Sequence, residues 1–166
     1  MNIILIGMPG CGKSTVGVLL AKSMLRDFVD TDLIIQNTYK KSLCDIINED
    51  GLDGFKEKEN SVLAQLKAEN AVIATGGSAV YCPEGMENLK NGGKVIYLKL
   101  SPEEIKSRIK NITTRGIAMK EGTTIEELYN ERAALYEKYA DIIIDCENTT
   151  PEECVNKVIE NSNNYI

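Results

Sequence analysis

Residues 7–15, GMPGCGKST, follow directly on an apolar run, NIILI, and a pattern with helical spacing begins at Lys13. Gly7-x-x-x-x-Gly12-Lys13-Ser14 fits a phosphate-binding loop in full, and its setting between a buried strand and a helix is the one such a loop requires. Glycines let successive backbone N–H groups point inward at phosphate oxygens, and the helix that follows presents the positive end of its dipole. In this reading Gly10, Cys11, Gly12, Lys13, Ser14 and Thr15 hold a nucleotide, with Cys11 serving as a small residue of the loop. Lys13 reaches the terminal phosphates, and the Ser14 hydroxyl is a ligand for Mg²⁺.

Further apolar runs bounded by turn signals lie at 28–30, 71–74, 94–98 and 142–144. The spacing between them predicts helices over 13–25, 31–39, 43–48, 54–68, 83–89, 102–109, 125–139 and 151–160. Ser101 before Pro102 with Glu104 beyond, and Thr150 before Pro151 with Glu153 beyond, are helix-start signals. Alternating strands and crossover helices predict an α/β chain whose parallel sheet is covered on both faces. The segment 110–124, KNITTRGIAMKEGTT, breaks the pattern and reads as a long surface loop of the kind that serves as a mobile lid. With 166 residues and no linker or repeat, one domain over 1–166 is expected.

Composition narrows the function classes. A net charge of −6 without a Lys/Arg block argues against nucleic acid or an anionic membrane as partner. The apolar start is interrupted by Gly and Pro after a few residues, so it reads as neither signal peptide nor membrane span, and a cytoplasmic location is expected. Five scattered cysteines without a C-x-x-C pair suit reduced thiols. No obvious apolar stripe is exposed, which leaves a monomer as the expectation. There is no histidine, so acid and base chemistry falls to Asp, Glu, Lys, Tyr or Cys.

Three more constellations carry chemistry. Asp30-Thr31-Asp32 ends the second apolar run, and in an open parallel sheet the strand ends share one crevice, so these carboxylates face the phosphate loop. Asp30 suits the Mg²⁺ shell and Asp32 the acceptor, whose hydroxyl proton a carboxylate can take during phosphoryl transfer; helix capping is the alternative for either residue. Gly76-Gly77-Ser78 follows the strand at 71–74, where paired glycines permit close approach to a ligand or simply make a tight turn. Of the four arginines, Arg115 lies in the lid and can meet a transferring phosphoryl group. Arg132 offers a fork for a carboxylate and Arg108 a plane for adenine, although spacing alone leaves each open as a solvated charge.

The order G-x-x-G-x-G-K-S, D-T-D, F-x-x-x-E (Phe55 to Glu59), G-G-x-A-V (Gly76 to Val80), a lid arginine and R-A-x-L-Y (Arg132 to Tyr136) resembles shikimate kinase. The resemblance covers nearly the whole chain. It implies a P-loop kinase fold related to the nucleoside-monophosphate kinases, with three α/β/α layers, a five-stranded parallel sheet in order 2-3-1-4-5, and a lid. It also implies transfer of the ATP γ-phosphate to the 3-hydroxyl of shikimate, with Mg²⁺, in aromatic amino acid biosynthesis. By position, Lys13, Asp32 and Arg115 become catalytic, and Ser14 and Asp30 metal-binding. Arg108 joins the nucleotide site, and Asp32, Lys56, Gly76, Gly77, Ser78 and Arg132 bind the acceptor, whose helical segment spans about 31–68. The family's adenine loop falls near 147–151, where the match is poor.

Three departures fall on the acceptor side or the lid. The pattern has arginine where this chain has Lys56, and glycine where it has Ser78; it has Pro-Leu after the lid arginine, where Gly116-Ile117 stand here. Lysine gives a point charge where arginine gives a fork. The same transfer to another small hydroxy acid, a sugar acid or a hydroxy amino acid is therefore an alternative. A nucleotide-binding regulatory module without kinase activity is another, although Asn156-Lys157 is followed by Val158-Ile159 and so lacks the guanine-reading N-K-x-D.

Overall fold

The computed structural model describes residues 1–109 and 117–162. The apolar run at the start forms β1 (Asn2–Ile6), buried at every residue. A strand with no access to water must find backbone partners on both edges. β3 (Ala71–Ala74) supplies one edge, with Ile4 opposite Ile73, and β4 (Gly93–Lys99) the other, with Ile4 opposite Val95. β2 (Asp27–Asp30) pairs beyond β3 and β5 (Ile142–Asp145) beyond β4, giving a parallel sheet in order β2-β3-β1-β4-β5. That is the order the resemblance implied.

The helices are α1 (Lys13–Ser23), α2 (Thr31–Tyr39), α3 (Leu43–Gln65), α4 (Pro83–Gly92), α5 (Pro102–Arg108), α6 (Ile125–Tyr139) and α7 (Pro151–Ser162). Parallel crossovers are right-handed, so α1, which carries the chain outward from β1, and α4, which carries it back across β1, cover opposite faces. α1 packs on β2, β3 and α7, whereas α4 packs on β1, β4 and α3. One apolar cluster fills both interfaces with the sheet. A smaller one, of Ile35, Leu43, Ile46, Phe55, Val62 and Ala118, joins α2 and α3 to the stretch that precedes α6.

Several boundaries differ from the sequence expectation for local reasons. α1 stops at Ser23 because Leu25 turns left-handed (φ 53) and the Arg26 N–H returns to the Ala21 carbonyl at 2.9 Å. The helices expected at 43–48 and 54–68 are the two halves of α3, whose backbone leaves helical geometry at Gly51 (φ 73, ψ −178). A 3₁₀ turn at Ala79–Tyr81 was not legible. Ser101 and Thr150 cap as expected, accepting from the Glu104 and Glu153 N–H groups at 3.2 Å each. In the stretch read as a lid, residues 110–116 lie outside the described residues, while Ala118 is buried. Among the described residues no helix is long and apolar enough to cross a membrane.

Asn2 locks the register at the base of the sheet. Its Nδ2 donates to the Ala68 carbonyl at 2.7 Å and its Oδ1 accepts from the Ala71 N–H at 3.0 Å, both shielded from bulk water. Asn2→Ala leaves two backbone groups unpaired and is expected to cost about 2 kcal/mol of unfolding free energy. Urea denaturation checks this, and an unchanged midpoint would show that the clamp carries no load.

Candidate active site

Past Ile6 the chain turns through Gly10 (φ 81) and Gly12 (φ 96), left-handed conformations that a side chain resists and glycine adopts freely. Gly12 is the N-cap residue of α1. The Lys13 ammonium folds back into the loop and donates to the Gly7 and Met8 carbonyls at 2.8 and 2.9 Å. Within the loop the Cys11 side chain is buried, as is that of Met8. The Cys11 N–H donates to the Met8 carbonyl at 3.2 Å, and its buried thiol lies 3.7 Å from the Lys13 ammonium, outside the cavity wall. The Cys11 side chain therefore packs inside the turn instead of on the cavity wall.

The carboxyl ends of β1 and β3 open into a cavity of about 830 Å³. Gly10, Gly12, Lys13, Ser14 and Thr15 form one side of it, and Asp32, Gly76, Gly77, Ser78 and Arg132 the other. Asp30 joins the two sides from below. One of its oxygens accepts from the Ser14 hydroxyl at 2.8 Å, and the other accepts from the Asp32 N–H at 3.0 Å, capping α2. The capping and the metal-site readings of Asp30 are thus compatible, one oxygen for each. Burial and the charge of Asp30 push Asp32 up to about 6, against the pull of Lys13.

The opposite wall is built by close approach. A Cβ on Gly76 would sit 2.7 Å from Asp32 Oδ1 and 2.8 Å from Glu59 Oε1, so a side chain there would push these carboxylate oxygens out of place. The Tyr136 hydroxyl donates to the Gly77 carbonyl at 2.6 Å, and its ring stacks on Tyr97 with centroids 5.0 Å apart. Arg132, one helical turn earlier on α6, is 1% exposed. It donates through Nη2 to the Ala118 carbonyl, while its Nε has no partner. A buried guanidinium with spare donors on a cavity wall is suited to an anion.

Lys56 is not brought into this wall. Its ammonium stands 4.3 Å above the Tyr81 ring, away from the cavity lining. The Arg108 guanidinium pairs with Glu104 and has Nη1 4.0 Å from the Cβ position of Gly12, so it faces the phosphate loop. Pro151, from the stretch expected to meet adenine, reaches the cavity rim. Arg115 lies outside the described residues. Glu59 was missed as a site residue, although it stands fully buried on the face of α3 that carries Phe55 and Leu63. Its place at the end of F-x-x-x-E, a carboxylate at apolar helical spacing, was the signal available. Burial pushes Glu59 up to about 7, with Asp32 adding to the effect while the Ser78 hydroxyl and Arg132 oppose it.

Comparison with known proteins decides the lineage, since the shikimate kinase family model matches residues 9–163. The chain belongs to the shikimate kinase family. A shikimate kinase of Francisella tularensis subsp. novicida is 36% identical, over 95% of this chain and 92% of its own. One from Thermodesulfovibrio yellowstonii is 38% identical, over 96% and 93%. The structure of shikimate kinase from Acinetobacter baumannii in complex with shikimate superposes with a TM-score of 0.88 at 30% identity, covering 99% of this chain and 94% of that one. The shikimate kinase relationship therefore spans both walls of the cavity. Gly76→Ala pushes a methyl group against both carboxylates, and is expected to lower kcat/KM for the acceptor at least ~100-fold with nucleotide affinity unchanged. Steady-state kinetics with nucleotide titration checks this; a loss shared equally by both substrates would place the damage elsewhere.

Proposed function

We propose that this chain transfers the γ-phosphoryl group of ATP to the 3-hydroxyl of shikimate, giving shikimate 3-phosphate in aromatic amino acid biosynthesis. The observation that carries the reading, beside family membership, is a single cavity in which a phosphate loop faces a carboxylate and a buried guanidinium. A hydroxy acid needs both: one group for its hydroxyl and one for its carboxylate. The relatives, and the neighbour in complex with shikimate, do not favour another hydroxy acid or a non-catalytic nucleotide module.

In this reading the backbone N–H groups of the loop and Lys13 hold the phosphates. Asp32 orients the acceptor hydroxyl in line with the γ-phosphorus and takes its proton. Arg132 holds the acceptor carboxylate, and among the described residues it is the sole arginine of that wall, while Lys56 rests on Tyr81. The cationic part at the transferring group is assigned to Arg115. Catalysis is then positioning and charge stabilisation in a site closed to water. The Ser14 hydroxyl and the Asp30 carboxylate, converged at 2.8 Å, are hard oxygen donors of the kind Mg²⁺ takes alongside water and phosphate. Bound there, Mg²⁺ neutralises charge on the phosphates. We assign the acceptor-binding helical segment to about 31–68 and the lid to about 110–124 of one domain. We propose a cytoplasmic monomer as the working unit; one chain supplies both walls of the cavity, so no second copy is needed to complete the site.

ADP release with ATP and Mg²⁺, compared across shikimate, sugar acids, hydroxy amino acids and nucleoside monophosphates, is expected to favour shikimate. Turnover with another acceptor alone would reassign the substrate. Asp32→Asn is expected to reduce kcat by about 10²–10⁴, the range for losing a positioned acid or base, and a wild-type rate would remove Asp32 from the mechanism. Arg132→Lys keeps the charge and loses the fork. It is expected to raise the shikimate KM roughly 10-fold while the ATP KM stays constant, and an unchanged acceptor KM would move the carboxylate clamp elsewhere.

A further inference from the structure

Ser78 lines the cavity, yet its hydroxyl points the other way. Its Oγ donates to Oε2 of Glu59 at 2.5 Å, behind the wall. Glu59 is 0% exposed, forms no ion pair among the described residues, and leaves Oε1 without a hydrogen-bond partner. That oxygen and Asp32 Oδ1 both lie within 2.8 Å of the Cβ position of Gly76, so one glycine separates the buried carboxylate from the one proposed to hold the acceptor hydroxyl. We infer that Ser78 is a positioning residue: its hydroxyl holds the Glu59 carboxyl group between Asp32 and Arg132, and through Glu59 it sets the alignment of the acceptor wall. The inference rests on the phosphoryl transfer to shikimate proposed above.

The groups around Glu59 explain why one hydroxyl decides its state. Asp32 faces it from α2 and raises its pKa, and Arg132 faces it from α6 and lowers it. The Cys82 thiol, at the start of α4, also favours the charged form. Of the two lysines close by on Glu59's own helix, Lys56 is held 4.3 Å above the Tyr81 ring and Lys58 pairs with Asp50 at 3.2 Å. Ser78 is the largest of the opposing influences to a burial that already pushes Glu59 up to about 7. Without the hydroxyl the carboxyl takes a proton at neutral pH. A protonated Glu59 is a donor in search of an acceptor, and Asp32 Oδ1 lies across Gly76. Asp32 is then drawn from the acceptor hydroxyl toward Glu59, and Arg132 loses its buried counter-charge.

The test uses the full chain and two readouts, comparing wild type, Ser78→Ala, Ser78→Gly and Glu59→Gln. The first is a ¹³C NMR titration of the glutamate side-chain carboxyls, with Glu59 identified by its absence in Glu59→Gln. The second is the pH profile of kcat/KM for shikimate at saturating ATP. The ionised form is the working one, so a raised Glu59 pKa carries the acidic limb to higher pH. Both serine variants are expected to move the Glu59 titration and the limb upward together by about one pH unit, a size set by one charge-assisted hydrogen bond. Activity at pH 7 falls roughly 5-fold and returns near pH 9, while the ATP KM is constant. Ser78→Gly guards against misfolding, because residue 78 has an ordinary right-handed backbone (φ −91, ψ −4). An unmoved Glu59 titration overturns the inference, and so does a moved titration with an unmoved limb. A wild type inactive toward shikimate overturns the function on which it rests, whereas an active wild type with a fixed limb overturns the role of Ser78 alone.

Discussion

The pairing of β1 on both edges is the constraint from which the site follows. Its backbone groups are consumed by β3 and β4, and its side chains are sealed under helices on both faces. The chain can leave only at the carboxyl end, in the space where every other parallel strand also delivers its loop. Asp30 ends β2 and Thr75 follows β3, and Thr75 is tied back to β1, its N–H and hydroxyl both donating to the Leu5 carbonyl. Position 76 and the phosphate loop are thus held to the same strand. The geometry between the two walls is a property of the sheet rather than of the loops.

On that rigid edge the two walls use different physics. The nucleotide wall is mostly backbone: left-handed glycines, a helix N-terminus, and one ammonium drawn in by the Gly7 and Met8 carbonyls. The acceptor wall is buried side chains. Arg132 and Glu59 are both removed from water without an ion pair of their own, an arrangement that costs several kcal/mol unless hydrogen bonds and neighbouring charge offset it. The surrounding scaffold is correspondingly stiff. Tyr136 braces the Gly77 carbonyl and stacks on Tyr97, while the Tyr81 ring carries Lys56 at 4.3 Å and the Arg132 guanidinium at 5.3 Å.

What the sequence disclosed follows the same division. The phosphate loop was legible because its chemistry is carried by backbone, and backbone needs particular residues at fixed spacing. The strands were legible because burial on both faces leaves unbroken apolar runs. Helix starts at Ser101 and Thr150 were legible from local capping chemistry, while the capping box of Thr124 and Glu127 went unread beside the irregular stretch that precedes it. The acceptor wall was harder to read. Whether Lys56 enters the cavity depends on Tyr81, 25 positions away in sequence, and the direction of the Ser78 hydroxyl depends on Glu59. Cys11 looked like a loop residue and is one, but the inward turn of its N–H is set by the Met8 carbonyl rather than by any pattern.

Two departures of this chain from the shikimate kinase pattern fall near one buried carboxylate, Glu59. Lys56 stands three residues before Glu59 on α3, and Ser78 is the residue that holds Glu59. An ammonium is a compact point charge, and here it has settled over an aromatic face, where a cation is attracted without a carboxylate partner. Glu59 is thereby left with no basic side chain paired to it, in surroundings that strongly disfavour its charge. A serine hydroxyl two positions beyond Gly76 supplies a donor without bringing a second charge into the core. It fits there because the backbone at 78 is one that any residue adopts, unlike the crowded position at Gly76. With Lys56 committed to the Tyr81 ring, the Ser78 hydroxyl is the side-chain donor that meets Glu59 on that wall.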